Sequence, residues 1–232
     1  MDGFSRHTDM IHPIRFPERP DEKYPDLAGL RADLFELLPR HVTVGQLLAS
    51  SNMYPPDLMM WAFLQRSCGV LDGFLGTFDT WNILVSGPLV RMQIDSLTRL
   101  SYVATCPDMD AVATEMLDGR EFRKMRDPSG KVLTDHRLAE LAEERHAWLK
   151  PVYDRASGWV HFSPTHVFLG TQADQGKFVQ HLPLQPDTLD EKLLAEMLGA
   201  MTQATGELLD YLELWGEHKQ RIAAGNEAPT DG

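Results

Sequence analysis

Residues 153–163, with the sequence YDRASGWVHFS, are the part of this chain best suited to chemistry. On a helix, Ser157 and His161 lie one turn apart on one face, and Tyr153 lies one turn before them. An imidazole accepts and donates protons near neutral pH, and a neighbouring hydroxyl group can orient or pass on a proton. The spacing therefore predicts a polar stripe with the components of a general acid–base site.

This polar stripe needs partners, and an apolar helix earlier in the chain offers two. Arg91 and Asp95 are four residues apart in that helix, so they share one face. Asp95 can hold the His161 ring in one tautomer, and Arg91 can bind an anion. The alternative is structural, with Arg91, Asp95, Ser157 and His161 in a buried polar network that fixes helix register. In that case Arg91, Asp95 and Arg99 form a ladder along one helix.

Arg155 and His161, separated by five residues, resemble the Arg-x4-6-His motif of the HEPN superfamily. Members of that superfamily are helical bundles common in bacterial toxin and antiviral-defence loci. The wider layout is similar to HEPN-like families of unknown function, in which an Arg-x3-acid helix precedes a Tyr-x3-Ser-x2-Val-His element, a hairpin and a final helix. The resemblance spans roughly residues 55–215. The corresponding residues here are Arg91, Asp95, Tyr153, Ser157, Val160 and His161.

The resemblance implies metal-independent cleavage of RNA by the adjacent 2′-hydroxyl group. His161 would be the general acid or base, Arg155 would stabilise charge on the phosphate, and Ser157 would complete the catalytic set. RNA or a nucleotide would be the ligand, and a homodimer would be the assembled form. The supporting residues would be Arg91, Asp95 and Tyr153.

The remaining motifs predict no metal and no cofactor. Glu143 and His146 form a single Glu-x2-His motif, whereas a helical di-iron site needs two such motifs and further carboxylates. We therefore expect this pair on a solvent-facing helix. The other histidines lack the spacing of zinc ligands, and the chain has neither a phosphate-binding loop nor a dinucleotide fingerprint. A hydrolase triad is also disfavoured, because no nucleophile-elbow glycine pattern is present.

Composition predicts a folded protein of a reducing compartment. The 232 residues are 43% hydrophobic and 24% charged, which is enough for one core. Cys68 and Cys106 are too few for a disulfide framework, and no run of about eighteen uncharged apolar residues predicts a membrane span. The first residues carry charges and prolines where a signal peptide needs an apolar run, so we expect a cytoplasmic protein. The net charge of −12 disfavours an extended nucleic-acid surface.

Hydrophobic periodicity predicts an all-α fold, a helical bundle with one inserted β-hairpin at about residues 165–183. The hairpin is predicted from the aromatic and β-branched runs 166–169 and 178–182. We expect residues 1–25 to be an extended N-terminal arm, residues 26–224 to be a single helical domain, and residues 225–232 to be a disordered tail.

Prolines and glycines predict where the helices begin, end and meet. Pro39 should end the first helix, the Pro-Pro pair at 55–56 should open a long one, and Ser86-Gly87-Pro88 should open the next. Glycines cost helix stability, so we expect them where a neighbouring helix comes close. Three such glycines share one face of the long helix, namely Gly69, Gly73 and Gly76.

These observations support two hypotheses of different classes. The first is a HEPN-like protein of a bacterial defence or toxin locus that cleaves RNA or binds a nucleotide, and the spacing of Arg155 and His161 favours it. The second is a non-catalytic helical protein that serves dimerisation or the binding of a protein partner. The acidic composition favours the second hypothesis. Ala156 favours it too, because ribonuclease members of the HEPN superfamily usually carry a polar residue after the motif arginine.

Overall fold

The computed structural model describes residues 18–49, 52–174, 177–180 and 186–225 of the chain. Within these ranges the fold is a helical bundle, which confirms the predicted all-α class. None of the described helices combines the length and the apolar character that a membrane crossing requires. The α-helices are α1 (Pro20–Lys23), α2 (Leu27–Phe35), α3 (Leu37–Leu48), α4 (Pro55–Asp79), α5 (Ile83–Val103), α6 (Met109–Leu117), α7 (Asp135–Glu143), α8 (Leu149–Val160), α9 (Pro164–Phe168) and α10 (Glu191–Ala223).

The centre of the bundle consists of α4, α5 and α10, which pack against one another. Around them, α2 and α3 lie on α10, while α7 and α8 lie on α5. Burying each large apolar side chain contributes about 1.5–3 kcal/mol, so these three helices supply most of the stabilisation. Their fully buried side chains include Leu71, Phe74 and Phe78 from α4, Ile94, Leu97 and Leu100 from α5, and Leu198, Leu208 and Leu212 from α10.

The predicted start of α4 is confirmed, and a buried ion pair fixes it to the end of α10. Pro55 is the first helical residue, and the Asp57 carboxylate accepts the backbone N–H of Tyr54 at 2.7 Å. The same carboxylate accepts the indole N–H of Trp215 at 2.8 Å and pairs with Lys219 at 3.0 Å. Asp57 and Lys219 are both buried. Each therefore depends on the other, since removing one partner of a buried pair leaves an uncompensated charge.

Two of the helix limits predicted at prolines are wrong. Pro39 lies in the first turn of α3, which begins at Leu37, and the missing N–H costs nothing there because it would have no acceptor. Helix α5 begins at Ile83 instead of Ser86, so Pro88 lies inside it. Ile83 is fully buried, and its burial favours a helical start before the proline.

The close approach predicted at Gly69, Gly73 and Gly76 is also wrong. A Cβ atom added at Gly69 or Gly76 would meet nothing within 4 Å, and one at Gly73 would make an ordinary contact at 3.6 Å. A close helix contact occurs instead at Gly216 of α10, where an added Cβ would lie 2.5 Å from the Leu47 side chain of α3. Sequence spacing alone did not identify the glycines at which a neighbouring helix comes close.

The chain ends are described only in part. The extended arm predicted for residues 1–25 is wrong for Pro20–Lys23, which form α1, and residues 1–17 lie outside the described ranges. At the other end α10 stops at Ala223. The tail predicted for residues 225–232 lies almost entirely outside the described residues.

Two short strands follow α9. Strand β1 (Thr171–Asp174) pairs with β2 (Lys177–Gln180) in antiparallel register, with Thr171 opposite Gln180. The first strand predicted, at residues 166–169, is wrong, because residues 164–168 form α9. Pro164 opens that helix, and the backbone N–H of Ser163 donates to the His166 ring at 3.3 Å. The full hairpin at residues 165–183 stays a prediction, since residues 175–176 and 181–185 lie outside the described ranges.

Candidate functional site

Arg91 lies at the centre of the predicted polar cluster. Its side chain is on α5, forms an ion pair with Asp95 one turn later, and is only 7% exposed. The guanidinium carbon lies 3.8 Å from the centroid of the Tyr153 ring on α8. The guanidinium Nε donates to the Ser157 hydroxyl at 3.4 Å. Four of the six predicted site residues are therefore in contact with one another.

Burial governs the electrostatics of this cluster. Burial lowers the pKa of Arg91 and raises the pKa of Tyr153. Arginine nevertheless stays charged, because its ordinary pKa is above about 12. The buried cation is balanced by the Asp95 carboxylate and by the negative face of the Tyr153 ring. The Ser157 hydroxyl donates to the Tyr153 carbonyl oxygen at 2.9 Å while it accepts from Arg91, so its proton already has a partner.

The ladder predicted along α5 is present and continues to α7. Arg99 lies one turn after Asp95, donates to its backbone carbonyl at 2.9 Å, and approaches its carboxylate at 3.6 Å. The other end of the Arg99 guanidinium pairs with Asp135 at 2.5 Å, in the first turn of α7. Arg91, Asp95 and Arg99 thus connect α5 to both α7 and α8.

His161 does not join this cluster, so the predicted convergence of its ring with Arg91 and Asp95 is wrong. Helix α8 ends at Val160, and His161 has an extended backbone conformation with φ −104° and ψ 142°. The helical alignment with Ser157 therefore does not extend to the His161 side chain, which is exposed. Within the described ranges the ring makes no hydrogen bond and no ion pair, and only the backbone N–H bonds, to the Ser157 carbonyl oxygen at 3.3 Å.

Arg155 also points away from the cluster. It is exposed on α8, and its guanidinium lies 4.0 Å from the Glu196 carboxylate of α10. Both residues stand at the rim of a groove of about 400 Å³ between α5, α8 and α10. The apolar walls of this groove include Trp148, Val152, Trp159, Leu193 and Met197. Ala156, the position that departs from the ribonuclease pattern, is buried.

The walls of the groove are held in place by specific contacts. Gly87 of α5 faces the Trp159 ring so closely that a Cβ atom there would overlap the ring. The Glu207 carboxylate accepts the Trp148 indole N–H at 2.9 Å and the Gln203 amide at 3.0 Å. These contacts fix the side chains of Trp148, Trp159 and Gln203 before anything enters the groove.

Glu207 also belongs to a partly buried hydrogen-bonded chain that sequence reasoning missed. Its carboxylate accepts from His146 Nδ1 at 2.5 Å, and His146 Nε2 lies 3.1 Å from the Tyr211 hydroxyl. The Tyr211 hydroxyl lies 3.2 Å from the Ser101 hydroxyl. Because a carboxylate only accepts, a neutral His146 carries its proton on Nδ1 and Nε2 accepts from Tyr211. The Tyr211 oxygen can then accept the Ser101 proton, which gives every group in the chain a partner.

The solvent-facing position predicted for His146 is wrong, since its side chain is only 7% exposed. Helix α7 ends at Glu143, so Glu143 and His146 do not share a helix face. The sequence held one usable signal, the spacing of Glu207 and Tyr211 by four residues on α10. It gave no indication that His146, 61 residues away from Glu207, would lie between them.

No family model, curated protein or solved structure matches the chain. Among the described residues, no group of three or more His, Cys, Asp and Glu side chains could hold a metal ion. The HEPN-like assignment therefore stays a prediction, and the function has to be argued from the geometry of the site.

Proposed function

We propose that this chain is a HEPN-like helical protein that acts by binding a protein partner, with its polar cluster serving structure and not catalysis. The observation that carries this proposal is the enclosure of Arg91. An arginine that binds an anion needs donors that face the ligand. Arg91 is instead buried against Tyr153, Asp95 and Ser157, which join α5 to α8.

The binding surface in this proposal is an exposed apolar patch, which we call the aromatic corner. Its residues lie at the end of α8 and along α9, where Phe162 is 88% exposed and Phe168 is 69% exposed. Val160 and Val167 complete the aromatic corner, and both are exposed. Single exposed apolar residues are ordinary, but neighbouring ones of this size mark interaction surfaces.

The structural part of the proposal is tested by comparing Asp95→Asn with His161→Ala. The amide in Asp95→Asn would leave the buried Arg91 charge without a carboxylate, so we expect a loss of about 3 kcal/mol in the free energy of unfolding. His161→Ala should leave that free energy nearly unchanged, because the ring is exposed and makes no hydrogen bond within the described ranges. Urea denaturation monitored by circular dichroism measures the free energy of unfolding of both variants. An Asp95→Asn protein as stable as the wild type would contradict the proposal.

A second candidate function is metal-independent RNA cleavage in a bacterial defence or toxin locus. One observation favours it, namely that Arg155 and His161 are both exposed on the same segment while Arg91 is not. His161 would act as general acid or base and Arg155 would stabilise the phosphate, at a cytoplasmic location. The acidic charge of −12 counts against this candidate.

An RNA-cleavage assay without added metal separates the two functions. If the chain cleaves RNA, His161→Ala should lower the rate by about 10²–10⁴-fold while the melting temperature stays the same. We expect the wild type to cleave no RNA. Cleavage by the wild type that is lost in His161→Ala would overturn the binding proposal.

A further inference from the structure

We infer that the groove between α5, α8 and α10 is a small-molecule site that binds an α-amino acid with an aromatic side chain. Arg155 and Glu196 at the rim would bind the two charges of this ligand, and the apolar walls would enclose its side chain. The inference goes beyond the proposed function, because none of the described residues that line this groove belongs to the aromatic corner.

The groove arises from the way two helices share a third. Helices α8 and α10 each pack on α5, but within the described ranges they do not pack closely on each other. Each lines the groove with a stripe of residues three or four positions apart, which places them on one helix face. The stripes are residues 152, 155, 156 and 159 of α8 and residues 193, 196, 197 and 200 of α10. The space of about 400 Å³ that they leave is of the size that small-molecule sites have.

The walls of the groove favour an apolar ligand group with an aromatic ring. Val90 of α5 and Met197 of α10 are buried and apolar. Trp148 and Trp159 add two indole rings to the same walls, and aromatic rings attract one another beyond the effect of burial alone. A mostly apolar cavity with a few polar groups is typical of a small-molecule site.

The charges at the rim favour a ligand that carries both signs. Among the described residues that line the groove, Arg155 and Glu196 alone are charged, and they lie 4.0 Å apart. A ligand with only a carboxylate would meet Glu196 as it approached Arg155, and a ligand with only an amine would meet the opposite repulsion. Because the two side chains are so close, the two charges of the ligand must also be close. An ammonium and a carboxylate on one carbon atom, as in an α-amino acid, meet this condition.

The charge of the whole chain and the order of the walls also favour such a ligand. A net charge of −12 repels anionic ligands, whereas an α-amino acid has no net charge at neutral pH. Gly87 lets the Trp159 ring lie against α5, and Glu207 fixes Trp148 through a hydrogen bond. A ligand that enters a groove with ordered walls costs little further conformational freedom in those walls.

The first experiment compares four probes by isothermal titration calorimetry on the full chain. L-Phenylalanine has the ring and both charges, 3-phenylpropionate lacks the ammonium, 2-phenylethylamine lacks the carboxylate, and glycine lacks the ring. We expect L-phenylalanine to bind with a dissociation constant on the order of 0.1 mM. Each of the other three probes should bind at least about tenfold more weakly, because each lacks one of the groups that the groove contacts.

Two charge variants then test the role of the rim. Arg155→Gln should weaken L-phenylalanine binding by about threefold to tenfold, but should strengthen 2-phenylethylamine binding, because the opposing cation is gone. Glu196→Gln should weaken L-phenylalanine binding by a similar factor and should strengthen 3-phenylpropionate binding. Both side chains are exposed, so the melting temperature of the free protein should not change. Glu217→Gln, an exposed position on the same helix as Glu196 and away from the groove, is the control and should bind every probe like the wild type.

A third variant tests whether the groove is where the ligand binds. Ala200→Leu places a larger side chain in the groove and should abolish L-phenylalanine binding, and circular dichroism checks that the variant is folded. Binding that is unchanged in Ala200→Leu would overturn the inference. So would a wild type that does not bind L-phenylalanine at millimolar concentrations, or two charge variants that change the binding of the two singly charged probes in the same way.

Discussion

The Arg91 guanidinium lies 3.8 Å from the centre of the Tyr153 ring, and this contact between residues more than sixty positions apart joins α5 to α8. The contact combines cation–π attraction with the packing of two flat groups. Together with the ion pair to Asp95 it encloses a positive charge between α5 and α8. The register between these helices therefore depends on Tyr153 as well as on the charged residues.

Replacing Tyr153 should show how much the ring contributes. Tyr153→Leu removes the face that Arg91 rests on, and we expect the free energy of unfolding to fall by about 2 kcal/mol. Tyr153→Phe is the matched control, since it keeps the ring and should cost less. Urea denaturation of the two variants measures the difference. Equal losses would show that the hydroxyl group, and not the ring, stabilises the contact.

Two glycine substitutions should change stability in opposite directions. Gly87→Ala places a Cβ atom where it overlaps the Trp159 ring, so the ring must move, at a cost of about 1–3 kcal/mol. Gly69→Ala lies within α4 with nothing inside 4 Å, and should stabilise the protein by about 0.5–1 kcal/mol. Melting temperatures of both variants check the contrast. A stabilising Gly87→Ala would mean that Trp159 does not pack against α5 as described.

Glu207→Gln should disturb the wall of the groove. The substitution keeps the size of the side chain but removes the carboxylate that accepts from His146 and Trp148. We expect a loss of about 1–3 kcal/mol in the free energy of unfolding and a change in tryptophan fluorescence. Glu217→Gln, on the exposed side of the same helix, is the control and should leave both unchanged. Two variants with indistinguishable spectra would argue against the hydrogen-bonded chain.

Asp127 should contribute stability that is lost in acid. The Ser129 hydroxyl, which donates to it at 2.6 Å, and the Arg137 guanidinium hold the pKa of Asp127 at about 2, below its ordinary value of 3.8. Because the pKa is lower in the folded state, the stabilisation is present above pH 3.8 and is lost as pH falls from 3.8 towards 2.

Unfolding measured across that pH range should therefore show a steeper fall in stability for the wild type than for Asp127→Asn. The asparagine amide in this variant cannot titrate, so the variant should be less stable at neutral pH and should differ less from the wild type in acid. Parallel pH profiles for the two proteins would contradict the assigned pKa.

The sequence predicted those parts of the fold that depend on residues close to one another in the sequence. The start of α4 at its Pro-Pro pair is a local signal, and that prediction is confirmed. The start of α5 was misplaced because the burial of Ile83, a tertiary effect, favours a helix that begins before Pro88. Local signals do not report which residue will be buried by a distant helix.

Four of the six residues of the candidate site were predicted correctly, for the same reason. Arg91, Asp95, Tyr153 and Ser157 each lie within regular helices, so their spacing of four residues carried over into the fold. His161 did not follow, because α8 stops one residue before it and its backbone is extended. His146 and Glu207 were missed because their contact depends on how α10 packs, which no local pattern encodes.

The position of α10 in the bundle has a consequence for how the chain folds during synthesis. Helices α2, α3, α4 and α5 all contact α10, which is the last described helix to leave the ribosome. Until α10 is synthesised, the apolar side chains that these helices bury against it remain exposed. Asp57 also lacks its ion-pair partner, because Lys219 lies more than 150 residues later in the chain. The earlier helices can form locally within microseconds, but the cooperative core cannot close before α10 is complete. The bundle is therefore expected to reach its folded state only after α10 has been synthesised.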